Sequence, residues 1–130
     1  MREILFRGKC GYNDEWVEGF YYQAKLNRSD KELCHYITIP HPESDGQPSD
    51  HIMVHPETVG QFTGLTDKNG KKIFDGDILK AIAGNPVGEP IVAKVVVNLN
   101  DYELMWDIEH SYEIEIIGNI HDNPELLENP

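Results

Sequence analysis

The feature that most constrains the fold is the regular interruption of short apolar stretches by turn-forming residues. Gly, Pro, Asn and Asp recur about every ten residues, and between them apolar side chains tend to alternate with polar ones. Because successive side chains of a strand point to opposite faces, this alternation is typical of half-buried strands. The spacing predicts a mostly β chain with little helix. So many short strands favour a small closed barrel over a sandwich.

Seven segments are predicted to be strands from their alternation or their β-branched and aromatic content. They are Ile4–Arg7, Trp16–Tyr22, Cys34–Ile39, Ile78–Ile82, Ile91–Val97, Tyr102–Glu109 and Tyr112–Ile116. The nearly continuous apolar run at 91–97 predicts a strand buried on both faces or central in its sheet. The alternation at 102–109 predicts a single buried face, formed by Tyr102, Leu104, Trp106 and Ile108.

Turn chemistry predicts the connections between these segments. Asn69-Gly70 tolerates positive φ at both positions and predicts the tip of a type I′ hairpin. Pro56–Gly60 suits a single helical turn, and Asn123–Leu127 a short closing helix with Asn as its cap. The segments His41–Asp50 and Gly84–Pro90 contain several Pro and Gly residues and are predicted to be loops.

Length and composition suit one cytoplasmic domain. The 130 residues predict a single domain over 1–130, with an N-terminal β part over about 1–56 and a C-terminal barrel part over about 57–130. No apolar run is long enough to cross a membrane, and the charges within Met1–Arg7 argue against a secretory signal peptide. Cys10 and Cys34 are therefore expected to be reduced thiols in a cytoplasm.

The charge of the chain is strongly negative and unevenly distributed. Its 23 acidic and 11 basic residues give a net charge of -12, and no Lys or Arg follows Lys94. Such a surface repels phosphates, which disfavours binding of a nucleic-acid backbone through the C-terminal half. The acidic face predicted for the last strands includes Glu113 and Glu115, which either keep the protein soluble or meet a basic partner.

Two groups of residues suggest a metal site, and neither matches a known ligand pattern. Asp75 and Asp77 flank Gly76; they are predicted to bond backbone N–H groups around a left-handed glycine, because a site for Mg²⁺ lacks a third ligand in the spacing. The segment from His41 to His55 contains three histidines and carboxylates, but its spacing matches no zinc template. No metal or cofactor is predicted, and a metal-dependent enzyme built on these residues is the third functional hypothesis.

Three blocks of the sequence resemble the YopX family of phage and prophage proteins. They are Met1–Arg7 with Trp16–Gly19, Thr58–Ile78, and Ile117–Leu127. The resemblance implies a mostly β fold with an SH3-type barrel, a phage or prophage gene, and hence a bacterial cytoplasm. It implies no known activity and supplies no catalytic or binding residues.

The leading functional hypothesis is a non-enzymatic accessory protein that acts through protein–protein contacts and is expected to form a homo-oligomer. No nucleophile motif, phosphate loop or dinucleotide fingerprint is present. The alternative is a nucleic-acid-associated regulatory protein that uses the hairpin lysines and the N-terminal aromatic residues. The candidate binding residues under these two hypotheses are Lys68, Lys71, Lys72, Glu113 and Glu115, with the aromatic residues Trp16, Phe20, Tyr21 and Tyr22.

Overall fold

Strands dominate the computed structural model, which describes residues 4–25, 33–40, 48–83 and 88–127. Among these residues, strand positions outnumber helical positions by more than two to one, so the prediction of a mostly β chain is confirmed. The chain divides into two compact units, Met1–Gln61 and Phe62–Pro130. No helix in the described ranges is long and apolar enough to span a membrane.

The first unit is an antiparallel meander that starts a little later than the sequence predicts. Its strands are β1 (Phe6–Lys9), β2 (Trp16–Ala24), β3 (Cys34–Pro40) and β4 (Pro48–Met53), with the beginning of β5 (Gly60–Thr66). They are ordered β4-β3-β2-β1-β5, and Gly60 and Gln61 pair with β1. The predicted single helical turn is confirmed as a 3-10 turn at Pro56–Thr58. Strand β4 was missed because a segment containing Pro48 predicts a loop, although Pro is tolerated as the first residue of a strand.

The second unit combines a hairpin, a three-stranded sheet and the α-helix. Its elements are the rest of β5, β6 (Lys72–Phe74), β7 (Asp77–Ala83), β8 (Ile91–Val96), α1 (Tyr102–Glu109), β9 (Glu113–Asn119) and a 3-10 turn at Pro124–Leu127. Strands β5 and β6 form the hairpin, and β7 lies between β8 and β9 in an antiparallel sheet. The core of this unit is formed by Ile73, Leu79, Val97 and Ile108.

The expected closed barrel of the SH3 type is not confirmed. In the described part of the second unit, the sheet order β8-β7-β9 is open, with β8 and β9 as its two edges. The barrel was predicted from the number of short strands, and that number does not determine whether the last strand pairs with the first. Segment 41–47 of one predicted loop and 84–87 of the other lie outside the described residues.

The segment at 102–109 is a helix and not the predicted strand. The Asp101 side chain accepts a hydrogen bond from the Leu104 backbone N–H at 3.1 Å and caps the helix. Ile108 is buried at 2% exposure, but Trp106 is 60% exposed, so the predicted buried face that placed both together is wrong. Leu104, Met105 and Ile108 pack on the core instead, at the i, i+1 and i+4 spacing of a helix.

The hairpin is confirmed, but its turn is not type I′. Asp67 accepts a hydrogen bond from the Gly70 N–H at 2.9 Å, which makes Lys68 and Asn69 the central residues of the turn. Gly70 follows at φ +80°, whereas Asn69 is not among the residues with positive φ. A turn followed by a left-handed glycine is the usual three-residue hairpin loop. Gly70 therefore supplies the one conformation that other residues adopt at a cost.

Strand β8 is present where the sequence predicts it, but it is not buried. Every residue from Ile91 to Val96 is exposed except Val95, which is half-buried. The apolar run predicted a strand in the middle of a sheet, and the structure places it at an edge. A sequence suited to burial on both faces therefore lies at the surface of this unit.

Candidate interaction surface

The candidate site is built around the exposed edge of β8. Ile91 is 60% exposed, Val92 56% and Val96 36%, although these are residues that usually lie inside a protein. In the described part of the chain β8 pairs with β7 alone, in register from Ile78 opposite Val96 to Ala83 opposite Ile91. The other long side of β8 is the boundary of the sheet.

The backbone of β8 presents hydrogen-bonding groups along this open side. The Val97 N–H donates to the Asp77 carbonyl at 2.9 Å, which directs the polar groups of Val97 towards β7. Because backbone groups alternate in direction along a strand, those of Ile91, Ala93 and Val95 also point to β7. The N–H and C=O groups of Val92 and Val96 therefore point away from the sheet, in the geometry that an added strand requires.

A groove runs beside β8 on the face of the sheet that α1 covers. Leu79 lies opposite Val95 and Ala81 opposite Ala93, and Leu79 belongs to the core beneath α1, so Ala93 and Val95 face the helix. The groove has a volume of about 370 Å³. The residues that line it include Ala93, Val95, Leu104, Trp106, Asp107 and His110.

Trp106 forms the exposed wall of this groove. Its ring stacks on His110 with the centroids 3.9 Å apart and the planes at 17°. The His110 ring is fixed in turn, since its Nδ1 lies 2.8 Å from the Trp106 carbonyl oxygen. A large aromatic side chain held in place and left 60% exposed is the type of residue that dominates protein interfaces.

The helix beside the groove is acidic. Helix α1 contains Glu103, Asp107 and Glu109, all exposed, and has no Lys or Arg. Asp107 itself lines the groove. The nearest lysine in sequence, Lys94, lies on the sheet face away from Ala93 and Val95, because neighbouring residues of a strand point to opposite faces. An approaching segment therefore meets apolar surface bordered by negative charge.

Two groups of predicted binding residues, the hairpin lysines and the acidic pair of β9, lie close together in the structure. The Lys68 ammonium is 3.3 Å from a Glu115 carboxylate oxygen and 3.9 Å from one of Glu113. Lys72 is 5.8 Å from the centroid of the Phe62 ring, and Lys71 is exposed. Lys68 therefore forms ion pairs with both glutamates at the surface, where such pairs contribute little to stability.

Asp67 is the residue that fixes this hairpin. Its Oδ1 accepts from the Asn69 and Lys71 N–H groups at 2.9 and 3.0 Å, and its Oδ2 accepts from the Ile116 N–H of β9 at 3.0 Å. Burial of the carboxyl acts to raise its pKa, but the three backbone donors and the Lys71 charge outweigh burial, so the pKa of Asp67 lies below its ordinary value. This role was not predicted, although an Asp at the start of an Asn-Gly turn is the signal for it.

The aspartates around Gly76 bind backbone groups. Asp77 is buried and its Oδ2 accepts from the Phe74 N–H at 2.7 Å, while Asp75 Oδ1 accepts from the Leu99 N–H at 3.0 Å. Gly76 has φ +91°, donates to the Val97 carbonyl and accepts from the Ile120 N–H. The turn therefore joins the segments that follow β8 and β9, which aligns the sheet on which the groove lies.

The aromatic residues of the first unit lie on both faces of β2. Trp16, Phe20 and Tyr22 share one face and Tyr21 lies on the other, because side chains alternate along the strand. Tyr22 Oη lies 2.8 Å from His51 Nδ1, and the Tyr21 hydroxyl 2.6 Å from the His35 ring. Trp16 lies under the Arg7 guanidinium, 4.6 Å from its ring centroid.

The histidine segment is only partly described. His41 lies outside the described residues; His55 Nε2 is 3.0 Å from Asp14, while the Nδ1 of His51 is near Tyr22. Within the described ranges, no three His, Cys, Asp or Glu side chains are grouped so as to hold a metal ion. Cys10 is buried and Cys34 half-buried, and both are free thiols.

Comparison with known proteins identifies the family. The model of the YopX family, described as YopX protein, matches residues 5–128, nearly the whole chain. This chain belongs to the YopX family. No curated protein matches it. Among solved structures, the crystal structure of protein EF1440 from Enterococcus faecalis is similar at a TM-score of 0.49 and 24% identity, over 98% of this chain and 99% of that chain.

The residues of this YopX-family chain that sequence reasoning missed are those of the β8 edge and Trp106. The signal for β8 was its composition, which was read as burial within the sheet. The signal for Trp106 was the capping Asp101 before the segment, which predicts a helix and turns the tryptophan away from the core side chains.

Proposed function

We propose that this YopX-family protein is a phage- or prophage-encoded accessory protein of the bacterial cytoplasm that acts without catalysis, by binding another protein along β8. Its origin and location are inferred from the family. The observation that carries the binding role is the apolar edge strand, with Ile91 and Val92 more than half exposed. Leaving apolar surface in water costs roughly 25 cal/mol per Å². A partner that covers this edge removes that cost and prevents uncontrolled pairing of the edge.

Strand addition is the binding mode that the surface favours. In this mode an extended segment pairs with the edge of a sheet, backbone hydrogen bonds give affinity, and alternate side chains enter adjacent pockets to give specificity. The outward-pointing groups of Val92 and Val96 provide the backbone pairing. The groove between β8 and Trp106 provides the adjacent pocket.

A nucleic-acid role finds less support from the same residues. Lys68 is paired with the two glutamates of β9, and the Trp16 ring already lies under the Arg7 and Lys9 side chains. A stacking platform requires aromatic faces on one side and cations beside them.

A matched pair of variants tests the proposal. Val92→Pro removes an N–H that points away from β7, so the sheet keeps its own ladder, and Pro is tolerated at a sheet edge. Val92→Thr keeps the N–H and a β-branched side chain. Immobilised parent and Thr variant are expected to retain a bacterial protein that the Pro variant does not. That protein is then produced alone and its binding measured by NMR titration. A partner retained equally by the Pro variant would contradict binding along β8.

A further inference from the structure

The chemistry around β8 also specifies what kind of segment it takes. An added strand places every second side chain on the face of the sheet that α1 covers, where Ala93 and Val95 lie. These side chains reach the groove beside Trp106 and the carboxylate of Asp107. We propose, on the basis of the proposed function, that the occupant of the β8 edge is an extended segment of another protein in which apolar residues are flanked by Lys or Arg.

The apolar part of this requirement follows from the groove. Its β8 side consists of Ala93 and Val95, and its far wall is the Trp106 ring stacked on His110. A volume of about 370 Å³ is large enough to admit aliphatic side chains of an added strand. Polar side chains in the same position would lose water without gaining a hydrogen-bond partner from Ala93, Val95 or the indole face.

The basic part follows from charge complementarity. Glu103, Asp107 and Glu109 are exposed on α1, and neither α1 nor any later part of the chain contains Lys or Arg. Asp107 borders the groove, so a cation that follows the apolar side chains lies close to it. Complementary charge raises the association rate and selects the partner, and like charge at the same place opposes binding.

The same charges disfavour a second copy as the occupant. Antiparallel pairing of two β8 strands about a two-fold axis keeps both helices on one face of the joined sheet. The carboxylates of the two α1 helices would then face each other across the junction. With a net charge of -12 on each chain, the two copies repel each other over longer distances as well.

The test uses the full chain and three synthetic peptides with one apolar core, Val-Thr-Val-Thr-Val, flanked at both ends by Lys pairs, Ser pairs or Glu pairs. Amide shifts of ¹⁵N-labelled protein give both affinity and site. We expect the Lys peptide to shift Val92, Val96 and the Trp106 indole, and to bind roughly tenfold more tightly than the Ser peptide at low salt. The Glu peptide should not bind. Raising the salt to about 0.5 M should remove the advantage of Lys.

Two variants assign the result to the residues. Asp107→Asn should reduce the advantage of the Lys peptide over the Ser peptide, measured as the ratio of their two affinities. Val92→Pro should abolish binding of both, while Val92→Thr retains it. Equal binding of the Lys and Ser peptides would overturn the basic requirement and leave strand addition standing. If no peptide binds and light scattering shows a dimer that Val92→Pro converts to a monomer, the occupant is a second copy and the inference is overturned. If no peptide binds and no such dimer forms, both this inference and the proposed function are contradicted.

Discussion

A single carboxylate connects three segments of the second unit. Asp67 accepts from Asn69, Lys71 and Ile116, so it closes the hairpin loop and joins it to β9. Hydrogen bonds to an ionised acceptor are stronger than neutral ones, and a buried donor left without its partner costs its full desolvation free energy. Asp67 thus holds the hairpin against β9 together with the Lys68 N–H, which donates to the Ile114 carbonyl at 2.9 Å.

Replacing Asp67 by Asn should therefore destabilise the protein in a pH-dependent way. At pH 7 we expect the free energy of unfolding to fall by about 1–3 kcal/mol, because an amide offers one acceptor oxygen where the carboxylate offers two. The pKa of Asp67 is lowered in the folded state, so its contribution is complete above the ordinary value of about 3.9 and is lost as the pH falls through the lowered pKa. Urea unfolding at several pH values measures this.

The matched control is Glu109→Gln, which changes one exposed carboxyl of α1 and should alter stability by less than about 0.5 kcal/mol. The difference between parent and Asp67→Asn should shrink below pH 4. A difference that stays constant from pH 7 to pH 2 would show that the charge of Asp67 is not what stabilises the hairpin.

At the scale of elements, two residues of α1 differ sharply in solvent exposure. Ile108 is 2% exposed in the core and Trp106 is 60% exposed beside the groove. Ile108→Ala should cost about 2–5 kcal/mol of unfolding free energy, as for other buried aliphatic side chains. Trp106→Ala should cost less than about 1 kcal/mol, because it empties no core position. Urea unfolding followed by circular dichroism compares them, and a larger loss for Trp106→Ala would indicate that the segment is a strand with Trp106 inside.

This element also shows where sequence reasoning succeeds and where it stops. The hairpin, β7 and β9 were predicted because alternation and an Asn-Gly pair act locally. The segment at 102–109 satisfies both periods, since Leu104 and Ile108 fit a strand face and a helix stripe equally. The cap at Asp101 decides between them.

The candidate site was less predictable than the fold around it. The apolar composition of 91–97 predicts that these residues are shielded from water. It does not predict whether β7, α1 or a partner protein provides the shielding. That information lies in the sheet order, which is set by contacts far apart in the sequence. The acidic character of the region was predicted, whereas its proximity to an apolar groove was not.

For the molecule as a whole, net charge sets which partners can approach. The chain has a net charge of -12, so every anionic partner meets long-range repulsion that salt screens only beyond about 10 Å at 0.1 M ionic strength. The three hairpin lysines do not reverse this, because Lys68 is engaged by Glu113 and Glu115. The same field attracts a basic segment towards α1.

Nucleic acid should consequently bind weakly or not at all. With mixed-sequence single- and double-stranded oligonucleotides at about 0.15 M salt, fluorescence polarisation should show no submicromolar affinity, because phosphate contacts supply most non-specific binding and this surface provides few cations. A variant with Lys68, Lys71 and Lys72 all changed to Ala should behave like the parent with oligonucleotides and should still bind the Lys-flanked peptide through the distant residues of β8. Submicromolar binding that the triple variant loses would reverse the order of the two functional hypotheses. In that case the hairpin, with Lys68 released from Glu113 and Glu115, would be the functional surface of the protein.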